Sequence, residues 1–371
     1  MIPINAPQIG EDEIKAVVKV LRSGNITHGL GSGPMVTEFE NAFARFAKAK
    51  HAIAVNTGTS ALHSAIVATG VSVGDEVILP SFSFVATAEV VVMAGGKPVF
   101  VDINSETYNI SVEEIKKAIT EKTVAIMPVD MYGLSADMKP IKEIAEKHNL
   151  VIIEDSCQAH GAFYNGKPPG AYAKAACWSF YASKNMTTGE GGMNTTNDEE
   201  FAEKLRTMRS HGEKEKYNSL ILGHNYRMPE IQAALGRVQL RRLPEFLRRR
   251  RENSKRFSEK LRNVKGLKLP QEPENLRHSW YLYTVRIMNA NSTKRNRLLE
   301  ILKKEGIGAE AYYVNPIHSM KFYRRYGKHK LPQTEKASEQ VISLPVHPGV
   351  TLEQADFISK STSQAIEKLS I

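Results

Sequence analysis

Cysteine is nearly absent from this chain: Cys157 and Cys177 are the only two in 371 residues, and no Cys-x-x-Cys pair exists. That argues against a disulfide framework and a cysteine-built zinc site, and no metal is expected. Long apolar runs are missing too; Val90-Val91-Val92-Met93-Ala94 is among the longest, far short of a bilayer span. The opening Met1-Ile2-Pro3-Ile4-Asn5-Ala6-Pro7 lacks the basic and apolar regions of a secretory signal. A cytoplasmic location without a membrane partner is therefore expected. There is no fixed-period repeat and no low-complexity tract.

What remains is an ordinary globular composition, 42% hydrophobic and 24% charged, long enough for roughly two domains. The net charge is +10, much of it around Arg241-Arg242 and Arg248-Arg249-Arg250-Arg251. A solvated helix face is the plain reading of that run. A nucleic-acid patch is the sharper one, but it lacks interleaved aromatics and a DNA-reading module, so no nucleic-acid partner is expected. Attraction of an anionic substrate is a third reading.

From about residue 50 to 210, short apolar runs alternate with helical periodicity. Strands are expected at His51–Val55, Glu76–Leu79, Pro98–Val101, Thr123–Val129, Leu150–Glu154 and Ala176–Phe180. Helices are expected at Thr59–Thr69, Phe84–Ala94 and Met138–His148, and Ser111 with Glu114 forms a capping-box pattern. This alternation predicts an α/β fold with a mostly parallel sheet between helices. Beyond about 212 the pattern changes. A helix is expected over Pro229–Arg242, and Pro244 is suited to open a second one running to about Arg262. A strand at Trp280–Ile287 and a helix at Lys294–Glu305, ended by Gly306, follow. A boundary near 245–250 would divide a large domain (1–245) from a smaller α+β C-terminal domain (246–371).

Sheets of this kind bind ligands beyond the carboxyl ends of their strands. Asp155 ends a strand apolar on both faces, where a carboxylate can hold a cationic ring nitrogen or simply cap a helix. Lys184 lies in a small-residue loop before Gly189-Glu190-Gly191-Gly192; it suits a Schiff-base amine, although most lysines are merely solvated. Gly58-Thr59-Ser60 opens a helix directly after a strand, where free amides and hydroxyls favour an anion, or form an ordinary cap. The Gly-x-x-x-x-Gly-Lys-Ser/Thr and Gly-x-Gly-x-x-Gly patterns are absent from that turn, against a P-loop or a dinucleotide fold. Each feature is weak alone. In this order on successive strand ends, the three are what a pyridoxal-phosphate (PLP) site needs.

The fuller motifs carry a resemblance. Asn56-Thr57-Gly58-Thr59-Ser60-Ala61-Leu62-His63, Pro80 to Thr87, and Glu154-Asp155-Ser156-Cys157-Gln158-Ala159-His160-Gly161 occur in order. Ser179-Phe180-Tyr181-Ala182-Ser183-Lys184-Asn185, Thr187 to Met193, Gly223 to Met228 and Ser343 to Gly349 complete the set. Together they resemble the DegT–StrS family of fold-type I, PLP-dependent sugar-nucleotide aminotransferases over nearly the whole chain. The resemblance implies that Lys184 binds the cofactor covalently, Asp155 pairs with its ring nitrogen, Gln158 bonds its phenolic oxygen and Phe84 stacks on its face. Thr59 and Ser179, with the Gly58 loop, would hold the phosphate. Asn225 would reach it from the partner subunit of a homodimer with shared sites. Tyr313 and His318 would lie near the sugar nucleotide.

His160 is open between a cofactor contact and a filler of the strand-end turn, and Glu190 between substrate contact and a shaper of the glycine turn. Cys157 and His63 read as structural. The Gly24–Pro34 loop is longer than its usual counterpart, which bears on the sugar site it frames. The implied reaction takes an amino group from an amino acid, L-glutamate by resemblance, to a nucleotide-linked keto-sugar. Thr187 to Gly192 resembles some 4-amino-sugar enzymes, perosamine-type synthases included. Relatives in which histidine replaces the lysine are sugar dehydratases; this chain keeps lysine. Non-sugar aminotransferases and a basic DNA-binding regulator are the other readings.

Overall fold

Strand residues of this chain point alternately to two helical layers, and the apolar side chains sort accordingly. The computed structural model describes residues 1–369. Helices α1 (Glu11–Ser23) and α2 (Pro34–Phe46) lead into β1 (His51–Val55), α3 (Gly58–Ala68), β2 (Glu76–Pro80), α4 (Ala86–Met93) and β3 (Lys97–Val101). Next come α5 (Val112–Ala118), β4 (Thr123–Ile126), α6 (Met138–His148), β5 (Val151–Asp155), β6 (Phe163–Tyr164), β7 (Ala175–Ser179), β8 (Gly192–Thr196) and α7 (Glu199–Arg209). The seven-stranded sheet has the order β1-β8-β7-β5-β4-β2-β3. From β7 to β3 its pairs are parallel, while β8 runs antiparallel to both β1 and β7. Val77, Leu79 and Ile153 pack with Leu62 and Ile66 of α3 and Val90 and Val91 of α4. Their neighbours Ile78, Ile126 and Ile152 face the other way, onto Ile115 of α5 and Ile141 and Ile144 of α6.

The remaining chain forms a hairpin, β9 (Glu213–Glu215) with β10 (Asn218–Ser219), then α8 (Glu230–Leu261), β11 (Leu267–Lys268), β12 (Leu276–Arg277) and β13 (Tyr283–Ile287). It closes with α9 (Ser292–Lys304), α10 (Pro332–Gln340), β14 (Val341–Leu344) and α11 (Leu352–Lys368). Strands β11, β13 and β14 make a three-stranded antiparallel sheet. It packs with Phe257 and Leu261 of α8, Leu298 and Leu302 of α9, and Ile358 of α11. The first residues join this part: the Ile2 amide donates to the Gly306 carbonyl at 2.7 Å, and the Gly308 amide to the Ile2 carbonyl at 2.8 Å.

Four expectations are corrected. Pro244 does not open a second helix: it lies inside the continuous 32-residue α8, which runs through the 245–250 region. Packing of one face along α1, α2 and α11 outweighs the one hydrogen bond that a proline removes. At Ser111 only half of the capping box forms; its hydroxyl accepts from the Glu114 amide, but the Glu114 carboxylate turns to Lys117. Thr123–Val129 pairs as a strand only to Ile126. The strand expected from Trp280 begins at Tyr283, because Trp280 takes a φ of 52° that no ladder accommodates. The arginine run is matched by acids: Arg248 with Glu245 and Glu252, Arg249 with Glu245, Arg251 with Glu272, Arg241 with Asp12 and Arg242 with Glu13. Arg250 alone of the four is buried.

Asp102, just past β3, docks the C-terminal part onto the sheet. Its carboxylate accepts from the amides of Ile103 (2.9 Å), Gln333 (2.9 Å) and Thr334 (2.8 Å), and from the Thr334 hydroxyl (2.8 Å). It thereby caps α10, whose own N-cap, Leu331, offers no side-chain acceptor. Asp102→Ala is expected to cost about 2–3 kcal/mol, since buried amides lose a charged acceptor at a helix start. A urea midpoint equal to wild type would show that this interlock contributes nothing.

Candidate active site

Three chain turns meet at the carboxyl edge of the sheet. Asp155 is the last residue of β5, and only 5% exposed. Ser179 is the last residue of the adjacent β7, and the turn behind it carries Lys184. Gly58 opens α3 after β1. Sequence spacing alone does not say that these ends are neighbours; the insertion of β8 between β1 and β7 does so.

The Asp155 carboxylate is held from two sides. Oδ2 accepts from the Thr87 hydroxyl at 2.9 Å, and Oδ1 from the Cys157 amide at 3.2 Å. Thr87 is fixed in turn by Ser83, at 2.9 Å. Burial pushes the Asp155 carboxyl above its usual range, partly offset by the Cys157 and Thr87 bonds and by the Lys184 charge. The Lys184 ammonium lies over the ring of Tyr281, 4.6 Å from its centroid. Tyr281 is fixed through its hydroxyl to Ser183 Oγ at 3.0 Å, and its carbonyl accepts from the buried Arg250 of α8, also at 3.0 Å. Thr87, Tyr281 and Arg250 have no role in the sequence reading. Tyr281 sits in a run whose alternation reads as strand, and its place under Lys184 follows from the turn at Trp280.

The start of α3 forms a cup. Thr57, not Thr59, is its N-cap, accepting from the Ser60 amide at 3.0 Å. The Ser60 hydroxyl is engaged within the turn, at 2.7 Å from Asn56 Oδ1 and 2.9 Å from Thr57 Oγ1. The amides of Gly58 and Thr59 are left as the open donors of the first turn. A Cβ on Gly58 would stand 2.6 Å from that of Ser179, and one on Gly192 would stand 2.2 Å from the Thr57 carbonyl. Glycine is needed at both places for the turn to sit against the two strand ends. The arrangement can take an anion between the helix start and Ser179.

Gln158 and Tyr313 are brought to the same edge. Gln158 Oε1 accepts from the Tyr132 amide at 2.8 Å, and its Nε2 donates to the Tyr313 hydroxyl at 3.4 Å. The Tyr313 ring lies 6.3 Å from that of Phe84, which is 56% exposed and so free to meet a ligand. Asn225 is exposed; its carbonyl accepts from Asn56 Nδ2 at 3.3 Å, so its segment runs beside the cup. The Gly24–Pro34 loop meets the stretch beside this segment: the Gly29 carbonyl accepts from Ser210 at 2.8 Å, and Ser210 bridges to Asn225. Glu190 is exposed on its turn, and its backbone carbonyl takes the Thr188 hydroxyl at 2.6 Å. His318 is turned elsewhere: Nδ1 meets Ser81 Oγ at 2.6 Å, and Nε2 faces Glu335 at 3.5 Å.

His160 is fully buried between Phe43, Trp178 and Phe180, and neither ring nitrogen has a hydrogen-bond partner among the described residues. Cys157 packs with its sulfur 3.7 Å from the Cys177 carbonyl. Among the described residues no group of three His, Cys, Asp or Glu side chains is placed to hold a metal, and no helix is long and apolar enough to cross a membrane.

The chain and its fold are shared with known proteins. The family model described as the DegT/DnrJ/EryC1/StrS aminotransferase family matches residues 7–362. A GDP-perosamine synthase of Caulobacter vibrioides is 38% identical over 368 residues, with 98% of each chain covered. A Streptococcus pneumoniae structure in its PMP form superposes with a TM-score of 0.95 at 30% identity, covering 100% of this chain and 98% of that one. Helicobacter pylori PseC, an aminotransferase involved in pseudoaminic acid biosynthesis, superposes with a TM-score of 0.93 at 32% identity, covering 99% of each chain.

The environment of His160 gives a pH prediction. Burial first, then the Lys184 and Arg250 charges, push its pKa down to about 3 from the usual 6.5. A depressed histidine adds stability above its unfolded pKa that is lost as pH falls toward the folded one. His160→Phe is therefore expected to gain thermal stability relative to wild type as pH drops from about 6.5 to about 4. A stability difference that stays flat over that range would contradict a neutral buried imidazole.

Proposed function

The chain belongs to the DegT/DnrJ/EryC1/StrS aminotransferase family, and on that premise we propose that it is a PLP-dependent enzyme moving an amino group from L-glutamate to a nucleotide-linked keto-sugar. The observation that carries this reading is the placement of Lys184 and the buried Asp155 at adjacent strand ends beside the Gly58 cup. The residues present fit the cofactor. The Gly58 and Thr59 amides with Ser179 would take its phosphate, and Ser60 would support them through the cap. Asp155 would face the ring nitrogen, Gln158 the phenolic oxygen and Phe84 the ring. When bound, PLP supplies a carbonyl that takes up the amino nitrogen and a cationic ring that withdraws electrons.

The protein's own work is orientation and proton transfer. Lys184 Nζ would bind the cofactor, then take and return the proton of the substrate carbon. Tyr281 beneath it limits where that amine can swing. Tyr313 and Glu190 are proposed on the substrate side. The lysine, kept where dehydratase relatives carry histidine, favours transamination. We place the enzyme in the cytoplasm, making amino sugars for surface polysaccharide. Asn225, exposed beside the cup, is proposed to complete the phosphate site of the partner subunit in a two-fold dimer, the commonest closed oligomer.

Purified protein with PLP is expected to absorb in the visible and to bleach on adding L-glutamate; a panel of nucleotide keto-sugars then identifies the acceptor. Lys184→Ala is expected to lose that absorption, with turnover down by about 10²–10⁴-fold or more; retained turnover would remove Lys184 from the role. For the shared site, Asn225→Ala is expected to weaken PLP retention. Mixing it with Lys184→Ala subunits is expected to restore part of the activity, because one hybrid site carries neither lesion. Proven heterodimers without recovery would argue against a site built from two subunits.

A further inference from the structure

Behind Asp155, on the opposite face of β5, lies a second pair of acids that the reaction does not use. Asp130 and Glu154 are 0% and 1% exposed. One oxygen of each is satisfied by an amide: Asp130 Oδ1 accepts from Ala136 at 3.0 Å, and Glu154 Oε2 from Gly170 at 2.6 Å. The other oxygens, Asp130 Oδ2 and Glu154 Oε1, find no hydrogen-bond donor among the described residues. Two buried carboxylates each left with a bare oxygen would be a costly arrangement. Val129 pairs with Asp155 in parallel register, so Asp130 and Glu154, each one residue away, both project to the opposite face, where each carboxyl bears on the protonation of the other.

We propose that Asp130 and Glu154 share one proton between these two oxygens, and that the resulting acid–carboxylate pair is a positioning element for the cofactor-facing edge. The pair joins two loops, one through Gly170 and the other through Ala136. The Asp130–Ala136 turn reaches the active site at two points. The Asp130 amide donates to the Asp155 carbonyl at 3.0 Å. Tyr132, held in the same turn at a φ of 59°, gives its amide to Gln158. A bond inside the pair therefore fixes both the strand end carrying Asp155 and the register of Gln158. The groups facing the pair are Asp155, the Ser156 hydroxyl and the amides already named, with Lys184 beyond Asp155. Among the described residues no cation neutralises the pair directly, and the one buried hydroxyl facing it, Ser156 Oγ, can donate to only one oxygen, so a proton between the two carboxyls satisfies what a single hydroxyl cannot. Burial pushes both carboxyls upward; the Asp130 charge raises Glu154 further, whereas the contact with Glu154 lowers Asp130, consistent with one proton held mainly on the Glu154 side.

The consequence for Asp155 and Gln158 rests on the PLP reading above; the shared proton does not, and is tested without cofactor. In Glu154→Gln the amide keeps the geometry: its oxygen accepts from Gly170 and its nitrogen donates to Asp130 Oδ2. A proton held in the folded state and released on unfolding adds stability at low pH that is lost as pH rises. The melting temperature of apo wild type, minus that of apo Glu154→Gln, is therefore expected to fall from about pH 5 to about pH 8. Glu154→Leu, which strands Asp130 without a donor, is expected to melt lower than Glu154→Gln throughout. Infrared spectra of apo wild type at pH 7 are expected to show a protonated-carboxyl stretch that Glu154→Gln lacks. The absence of that band, or a melting difference independent of pH, would overturn the shared proton. If the proton is confirmed but the visible spectrum and turnover of PLP-loaded Glu154→Leu match wild type, the pair holds the loops without positioning the site.

Discussion

Asp155 sets the terms for the rest of the structure. The end of a strand buried on both faces disfavours a charged carboxylate. The protein offsets this with donors of fixed position: the Thr87 hydroxyl on one oxygen, the Cys157 amide on the other, and the Lys184 charge nearby. Each comes from a different turn, so the carboxylate also ties those turns together. Thr87 belongs to the start of α4, Cys157 to the turn after β5, and Lys184 to the turn after β7.

The same edge is braced from the second half of the chain. Arg250 lies inside the long α8 and is buried, its charge spent on the carbonyls of Trp280 and Tyr281 at 3.1 and 3.0 Å. Those bonds hold the ring that underlies Lys184. Burial pushes the Arg250 guanidinium down to about 10, still high enough to keep its charge at neutral pH. An unbroken α8 is what permits this, since its first turns pack against α1 and α2 while its later turns reach the C-terminal core. The sheet supplies the acid and the anion cup; the helix beyond it supplies the platform for the amine.

Family membership fits this division of labour. The family model spans almost the whole chain, and the relatives superpose over both the sheet and the C-terminal part. What differs between members is expected in the loops around the edge. Here these include the Gly24–Pro34 segment, which contacts Ser210, the bridge partner of Asn225.

The parallel strands are legible in the residues alone, because Val77, Ile78 and Leu79 or Val151, Ile152 and Ile153 are apolar on both faces and do not suit a half-wet sheet. The sequence by itself also determined the order of the cup, the acid and the lysine, because strand ends in such a sheet are ligand sites wherever they fall. It did not reveal β8, whose Gly192-Met193-Asn194-Thr195-Thr196 has no strand-like alternation; pairing on both sides by β1 and β7 makes it one. It did not reveal that α8 passes through Pro244, since a local rule for proline has no knowledge of the helices packed along both halves. Nor did it assign Thr87, Tyr281 or Arg250, whose roles depend on groups at least 30 positions away in the chain. His318 is of the residue type its expected role needs, but its ring is taken by Ser81, 237 positions away, whereas the Ser60 hydroxyl is taken within its own turn by Asn56 and Thr57. Periodicity and strand-end position are local and survive in a linear reading; which donor satisfies which buried acceptor is settled only when distant turns meet.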